Sequence, residues 1–405
     1  MAQDIVFRGL TSPLRLHGAE AVLPLLARIV VGWPYDIRAE NPGIAPFFSI
    51  SGTPDAGLFL CQSHVEPKPA LRLDPVNALC DAMAALALAL PAEDPGLICL
   101  HAAAVAMAGR LVVFPSVRRA GKSTLAVALA QAGHGLYSDD VLPLSVTVDH
   151  VAHGHAMGTA PRLRLPLPET LPADFRDWAE ARATIRNPQY SYLKLAGQHA
   201  RGASLPVGAF VILDRQDEPA PAHLLQVAPD VAMDALLHQN FTRDRHSADV
   251  LQVMAATLSN RPVFRLSYSG LAEAVACLEA AFHQWPEPAP PAGPGAAVAF
   301  RMADFSGDLP VGSDGSAIRQ RGGTLAQTIG NTLYLADPEG RAIHRMDQLA
   351  AAIWEVLADP VTPEAIETLL ADAFPEADPD QIALDLNSLL ERLSLAGLLE
   401  VGGRT

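Results

Sequence analysis

The sequence predicts a two-part chain: a mixed α/β domain around a central sheet, then a smaller α+β domain. Three observations predict it. From Leu97 onward, apolar runs of strand length alternate with helical stretches. Beyond residue 296 the order changes to a hairpin followed by three helices. Between the two, the stretch WPEPAPPAGPG concentrates Pro286, Pro288, Pro290, Pro291 and Pro294. Such a composition favours extended polyproline geometry and reads as a semi-rigid spacer. The expected boundaries are 1–95 for an N-terminal β-rich part, 96–284 for the α/β core, 285–296 for the spacer and 297–405 for the last domain.

In the first part, Phe47–Ser51 and Leu58–Cys61 read as a hairpin around TPDAG, and Val76–Leu90 as a buried helix. The core then runs strand Leu97–Val105, strand Leu111–Phe114, a polar loop, helix Ser123–Ala132 and strand Gly135–Ser138. Later come strands Ala209–Leu213 and Val263–Leu266, with helices Val231–Leu237 and Leu271–Phe282. After the spacer, Asn331–Asp337 and Arg341–Asp347 flank the turn DPEG. Helix Leu349–Leu357 carries Leu349, Ile353, Val356 and Leu357 on one face. Thr362 N-caps a second helix, with Pro363 at its first position. Asp378, Pro379 and Gln381 make cap, first-turn proline and capping-box partner for a third. That helix presents Ile382, Leu386, Leu389, Leu390 and Leu393 at helical spacing and stops at Gly397.

Composition narrows the function. The 405 residues hold 29 Lys and Arg against 44 Asp and Glu, a net charge of −15. That balance repels nucleic acid and anionic membrane surfaces. Half of the residues are hydrophobic and 18% charged, which excludes a disordered chain. Cys61, Cys80, Cys99 and Cys277 are scattered, without a CxxC pair, so reduced thiols are expected and zinc is not. Met1–Leu10 has no signal-peptide pattern, and the apolar run Ala82–Leu90 is shorter than the roughly 20 residues that span a bilayer. The expectation is a cytoplasmic protein; nothing in the sequence decides between a monomer and a homo-oligomer.

The chemistry concentrates in LVVFPSVRRAGKSTLAVALAQAGHGLYSDD, residues 111–140. Strand, loop and helix follow one another as a phosphate-binding loop requires. The loop residues Ser116, Arg118, Arg119, Ala120, Gly121, Lys122, Ser123 and Thr124 are the expected nucleotide contacts. Gly121 lets backbone amides approach phosphates, Lys122 reaches the β/γ-phosphates, and the Ser123 hydroxyl suits Mg²⁺. Ser116 stands where GxxxxGK[ST] has glycine, and serine is less comfortable at positive φ. Asp139 and Asp140 close the next strand and should face the loop, since adjacent strand ends in a parallel sheet lie side by side. Paired carboxylates there suit a metal and a base that takes a hydroxyl proton. His101 lies on the strand before the loop. Arg162, Arg164, Glu169 and Lys194 are weaker candidates downstream, and His150, His153 and His155 sit together in a loop-like stretch.

LHAAAV, the strand, GKST, the helix and SDD together resemble the catalytic domain of HPr serine kinase and its relatives. The resemblance implies a P-loop kinase domain of HPr-kinase type, using ATP and Mg²⁺. It implies that His101 and Asp139 act together on a substrate hydroxyl, with Lys122 on the phosphates and Asp140 supporting the metal. Thr124 follows GKS where the family usually has Glu, and its later glycine-rich signature has no match here.

The stretches LYLADPEGRAIHRMDQLAAAIWEVL, TPEAIETLLADAF and QIALDLNSLLERLSLAGLLEV resemble PqqD-like proteins. That resemblance implies a small winged-helix-like module holding the leader of a ribosomally made precursor peptide. The peptide would add a strand at Arg341, His344 and Arg345 and rest against Asp385, Ser388 and Arg392. Joined, the two halves imply an ATP-dependent serine/threonine kinase that tailors a precursor peptide, of lasso type. A kinase for an HPr-like carrier protein and a peptide chaperone with a vestigial nucleotide site are the rival expectations.

Overall fold

The computed structural model describes residues 2–53, 57–66, 68–117, 119–242, 244–259, 261–285, 297–304 and 316–401. The proline cluster of the expected spacer and Arg118 of the loop lie outside the described residues. The chain divides into two compact units: Met1–Thr242 with Asn260–Ala299, and Arg243–Ser259 with Phe300–Thr405.

The first unit opens with β1 (Ala2–Phe7), β2 (Leu14–His17), α1 (Leu23–Ile29), β3 (Tyr35–Ala39), β4 (Phe48–Gly52), β5 (Phe59–Ser63) and β6 (Leu71–Leu73). The strands form one sheet, ordered β3-β1-β2-β4-β5-β6. Helix α2 (Pro75–Glu93) packs on it, its N-terminus capped by the Asp74 carboxylate, which accepts from the amides of Val76 and Asn77. By length and composition α2 is apolar enough to cross a membrane, contrary to the expectation from Ala82–Leu90. Its buried residues join Phe7, Phe47, Phe48 and Ile50 in one core, the burial that its composition serves here.

A second, mixed sheet follows. Its elements are β7 (Ile98–Leu100), β8 (Ala103–Met107), β9 (Arg110–Phe114), α3 (Lys122–Gln131), β10 (Gly135–Ser138), β11 (Leu142–Val146) and β12 (Ala152–His155). Next come β13 (Arg162–Arg164), α4 (Ala173–Glu180), β14 (Ala183–Arg186) and β15 (Tyr190–Leu193), whose strands form a small sheet of their own. Then β16 (Ser204–Arg215), β17 (His223–Gln226) and α5 (Pro229–Gln239) precede β18 (Val263–Tyr268) and α7 (Leu271–Phe282). The central order is β10-β8-β9-β16, with β18 also pairing to β16. Among the described residues, the parallel strand pairs in this sheet are β9–β16 and β16–β18. Val112, Phe114, Leu125, Leu129, Leu266 and Leu278 pack together between strands, α3 and α7.

Two expectations change. Leu97–Val105 is not one strand: it breaks at His101–Ala102 into β7, paired to β11, and β8, paired to β9 and β10. The Asp139–Asp140 strand is not a parallel neighbour of β9 either, because β8 lies between them. Since β8 runs antiparallel to both, the ends of β9 and β10 and the start of β8 meet at one edge, Phe114 opposite Ala103 and Ser138 opposite Ala104.

The second unit gathers α6 (Ser247–Ser259), β19 (Ile318–Gln320), β20 (Leu325–Ile329), β21 (Thr332–Ala336) and β22 (Ile343–Met346). After these come α8 (Gln348–Val356), α9 (Pro363–Ala373), α10 (Pro379–Leu395) and β23 (Leu399–Val401). Strands β20-β21-β22 form an antiparallel sheet, and β19 pairs with β23. Leu335 and Met346 face a core with Ile353, Trp354, Leu386 and Leu390. Tyr334, on the opposite face by strand alternation, is fully buried, and α6 packs on this sheet. The expected boundary at 285 assigns α6 to the earlier domain; its packing assigns it here.

The N-caps at Thr362 and Asp378 form as the sequence predicts, and Gly397 takes φ 69° after α10. Gln381 instead donates to Asp385 Oδ1 at 2.9 Å, so it is no capping-box partner. On α8 the buried face is Ala350, Ile353, Trp354 and Leu357, whereas Leu349 and Val356 are exposed.

Candidate functional site

The loop after β9 is built around Gly121 and Lys122. Gly121 sits at φ 93° as the N-cap of α3, and a Cβ there would meet the Tyr268 hydroxyl at 3.0 Å. Lys122 Nζ donates to the carbonyls of Ser116 (2.6 Å) and Val117 (3.1 Å). The left-handed backbone in the loop falls at Arg119 and Gly121, not at Ser116. Ser116 has a different use. Its buried hydroxyl accepts from the Leu213 amide at 2.9 Å, tying the loop to β16, a bond glycine could not make.

At the same sheet edge, His101 Nε2 lies 2.9 Å from Asp140 Oδ1. The Arg162 guanidinium donates to Asp140 Oδ2 at 2.8 Å, and the Arg162 amide donates to Asp139 Oδ2 at 3.1 Å. Ser123 Oγ donates to the Asp139 carbonyl at 3.2 Å, which fixes the first turn of α3 against the aspartate pair. The structure thus brings together the loop, both aspartates and His101. It pairs His101 with Asp140 rather than with Asp139, because the break before β8 points the imidazole at the turn into β11. His101 itself is held by its amide donating to Gln239 O (2.7 Å) and by stacking on Phe241, ring centroids 5.7 Å apart.

The two carboxylates differ in environment. Asp139 is buried, and desolvation together with the Asp140 charge pushes its carboxyl up to about 7, against the opposing pull of the Arg162 amide. The Asp140 side chain keeps 36% of its exposure. Burial acts to raise Asp140 as well, but the His101 hydrogen bond and the Arg162 and Lys122 charges outweigh it and hold this carboxyl well below the usual range. One aspartate is poised to change protonation near neutral pH; the other stays ionised.

Arg162, only a weak candidate by sequence, is central here and also lies 4.8 Å over the Tyr190 ring. No local signal marks it; it reaches the aspartates because β13 starts beside them. Arg164 stacks on the same ring at 5.6 Å. Glu169 and Lys194 are exposed. His155 Nε2 lies 2.8 Å from Ser145 Oγ, and burial lowers His155 to about 4. Among the described residues no group of three or more His, Cys, Asp or Glu side chains could hold a metal ion, so the histidine trio forms no such site.

In the second unit, β22 is an edge strand of its sheet and carries His344 and Arg345. Arg341, expected on that edge, is instead engaged beside it: its amide donates to Asp337 Oδ1 (3.1 Å) and its guanidinium to Glu339 (3.2 Å). Asp385, Ser388 and Arg392 are all exposed on α10, and Arg392 Nε donates to Ser388 O.

No curated protein matches the chain. Among solved structures, the Hpr(Ser) kinase/phosphatase from Coxiella burnetii aligns with 45% of this chain and 89% of its own, at 12% identity and a TM-score of 0.25. Residues 333–399 match the family described as coenzyme PQQ synthesis protein D (PqqD). The segment from β21 through α10 to Leu399 is a PqqD domain.

Proposed function

We propose that the chain is an ATP-dependent serine/threonine phosphotransferase acting on a ribosomally synthesised precursor peptide whose leader the PqqD domain holds. One observation carries the reading: His101, Asp139, Asp140 and Arg162 meet at the same strand edge as the GKST loop, in a chain that also has a PqqD domain.

In this reading Lys122 turns from its loop carbonyls to the β/γ-phosphates, and the first amides of α3 face the same phosphates. Ser123 and Asp140 would hold Mg²⁺; a hard oxygen donor set without thiolate suits that ion. When bound, Mg²⁺ neutralises charge on the phosphate oxygens. Asp139, raised toward neutral pH, takes the proton of the peptide hydroxyl, as a general base with a matched pKa does. Asp140 stays ionised and orients His101 at the acceptor. The leader on the PqqD domain raises the local concentration of that acceptor.

The test is intact-mass analysis of a leader-bearing precursor peptide, encoded beside this chain's gene, after incubation with ATP, Mg²⁺ and the protein. The expected result is a phosphate-sized mass gain with the wild type and none with Lys122→Ala. A precursor that binds but gains no mass with the wild type would overturn the kinase reading in favour of a peptide chaperone.

A further inference from the structure

Tyr268 closes β18 with its ring in the core and its hydroxyl at the GKST loop. The residue is 4% exposed, and its ring lies in the same core as Phe114, Leu125 and Leu271. The hydroxyl reaches Gly121, the N-cap of α3, where an added Cβ would come within 3.0 Å of it. Among the described residues that hydroxyl has no hydrogen-bond partner; the Tyr268 carbonyl, by contrast, accepts from the Gln216 amide at 2.8 Å. A buried tyrosine ordinarily pairs its hydroxyl. Burial also pushes this hydroxyl up, so it keeps its proton at neutral pH and stays a donor.

The sheet brings the hydroxyl to this point. Strands β9, β16 and β18 run parallel, so their carboxyl ends lie together, and ligands of α/β sheets bind beyond such ends. The loop after β9 is tied to β16 by the Ser116–Leu213 bond, and β18 pairs with β16 in turn. In the order β10-β8-β9-β16, with β18 on β16, the loop stands between two flanks. The aspartate pair follows β10 on one flank, and Tyr268 ends β18 on the other. Among the described residues no side-chain hydrogen bond caps α3 at Gly121, so the partial positive charge of its first turn begins where the hydroxyl ends.

We propose that Tyr268 is a further phosphate-binding residue of the nucleotide site: its hydroxyl donates to a phosphate oxygen seated on the first turn of α3, from the flank opposite Asp139 and Asp140. The phosphate supplies the partner that the folded chain does not give this hydroxyl. The nucleotide then extends over the ends of β16 and β18, and the side of the loop toward β10 is kept for the acceptor hydroxyl. Donor and acceptor meet the loop from opposite flanks, as transfer in line between them requires. The inference rests on the phosphotransferase reading, since it needs the loop to hold phosphates, and it adds a contact that the GKST pattern does not contain.

The experiment is isothermal titration calorimetry of the full chain with ATP in the presence of Mg²⁺ and, separately, with inorganic pyrophosphate, for the wild type and Tyr268→Phe. Thermal melts of both proteins without ligand accompany it. The substitution keeps the ring and removes only the oxygen. Expected in Tyr268→Phe is a dissociation constant raised about ten-fold or more for both ligands, the range for a hydrogen bond to a charged group. Its melting temperature should be no lower than that of the wild type, because one unpaired buried hydroxyl is gone. A melting temperature that falls, whatever the affinity does, makes the hydroxyl a structural group and overturns the proposal. Affinity lost for ATP alone, with pyrophosphate binding unchanged, assigns the hydroxyl to the nucleoside and overturns the phosphate contact. Equal affinities in the two proteins overturn the inference and leave the nucleotide reading intact; a wild type that binds neither ligand overturns both.

Discussion

At the scale of single residues, the two neighbouring aspartates are pushed in opposite directions, and stability and activity should separate accordingly. Asp139 is raised in the folded state, so its contribution is fully present below its unfolded value and is lost as pH rises toward about 7. Asp139→Asn can still accept from the Arg162 amide and does not ionise. Its stability relative to wild type should therefore be higher at pH 8.5 than at pH 5, by at least one pKa unit's worth, ~1.4 kcal/mol, as denaturant unfolding at the two pH values will show. The same variant should lose ~10²- to 10⁴-fold in phosphate transfer, the range for removing a general base. Asp140 is lowered, so its contribution holds above its unfolded value and is lost only as pH falls below the usual carboxylate range. If His101 and Asp140 act as a pair, His101→Ala, Asp140→Asn and the double variant should show similar rates in single-turnover assays, far from additive.

At the scale of elements, α6 changes what counts as a separable domain. Val250, Leu251, Met254 and Leu258 of this helix are buried, and it packs on the sheet whose Tyr334 is fully buried. A fragment of residues 297–405 leaves that sheet face uncovered. It is expected to aggregate or to unfold without a cooperative transition, whereas the same fragment carrying residues 243–259 on a Gly/Ser linker should melt cooperatively by circular dichroism. Within the full chain, Leu251→Ala should cost about 2–5 kcal/mol, the usual range for a buried leucine. Ending the chain at Pro286 removes this sheet and leaves α6 bare, so loss of activity in such a truncation would not by itself report leader binding.

At the scale of the whole molecule, the chain runs from the first unit into the second after Thr242, back after Ser259 and across again after Ala299. Neither unit is therefore a single continuous stretch of the chain. Nucleotide should stabilise the protein by mass action. At a hundred times its dissociation constant, MgATP should add ~2.7 kcal/mol, read as a raised thermal midpoint in the wild type and no shift in Lys122→Ala. An unchanged midpoint in the wild type would remove the nucleotide site from the reading.

The sequence by itself determined the features set by local rules. Gly121 and Lys122 at the mouth of a helix, the caps at Thr362 and Asp378, the stop at Gly397 and the SDD strand end are all dictated within a few residues by backbone geometry and spacing. Tertiary structure decided what depends on partners far along the chain. The break that aims His101 at Asp140 depends on β7 and β8 pairing with different strands. Arg162 joins the site only because β13 begins beside it, and Ser116 finds its use only when β16 brings the Leu213 amide within 2.9 Å. Leu349 and Val356 have the spacing of a buried face, yet Ala350 and Trp354 are the residues covered, because the neighbouring sheet chooses which side of an apolar helix it meets. The placement of α6 was beyond local reading for the same reason. Periodicity reveals that a face must be buried, and only the assembled fold settles against what.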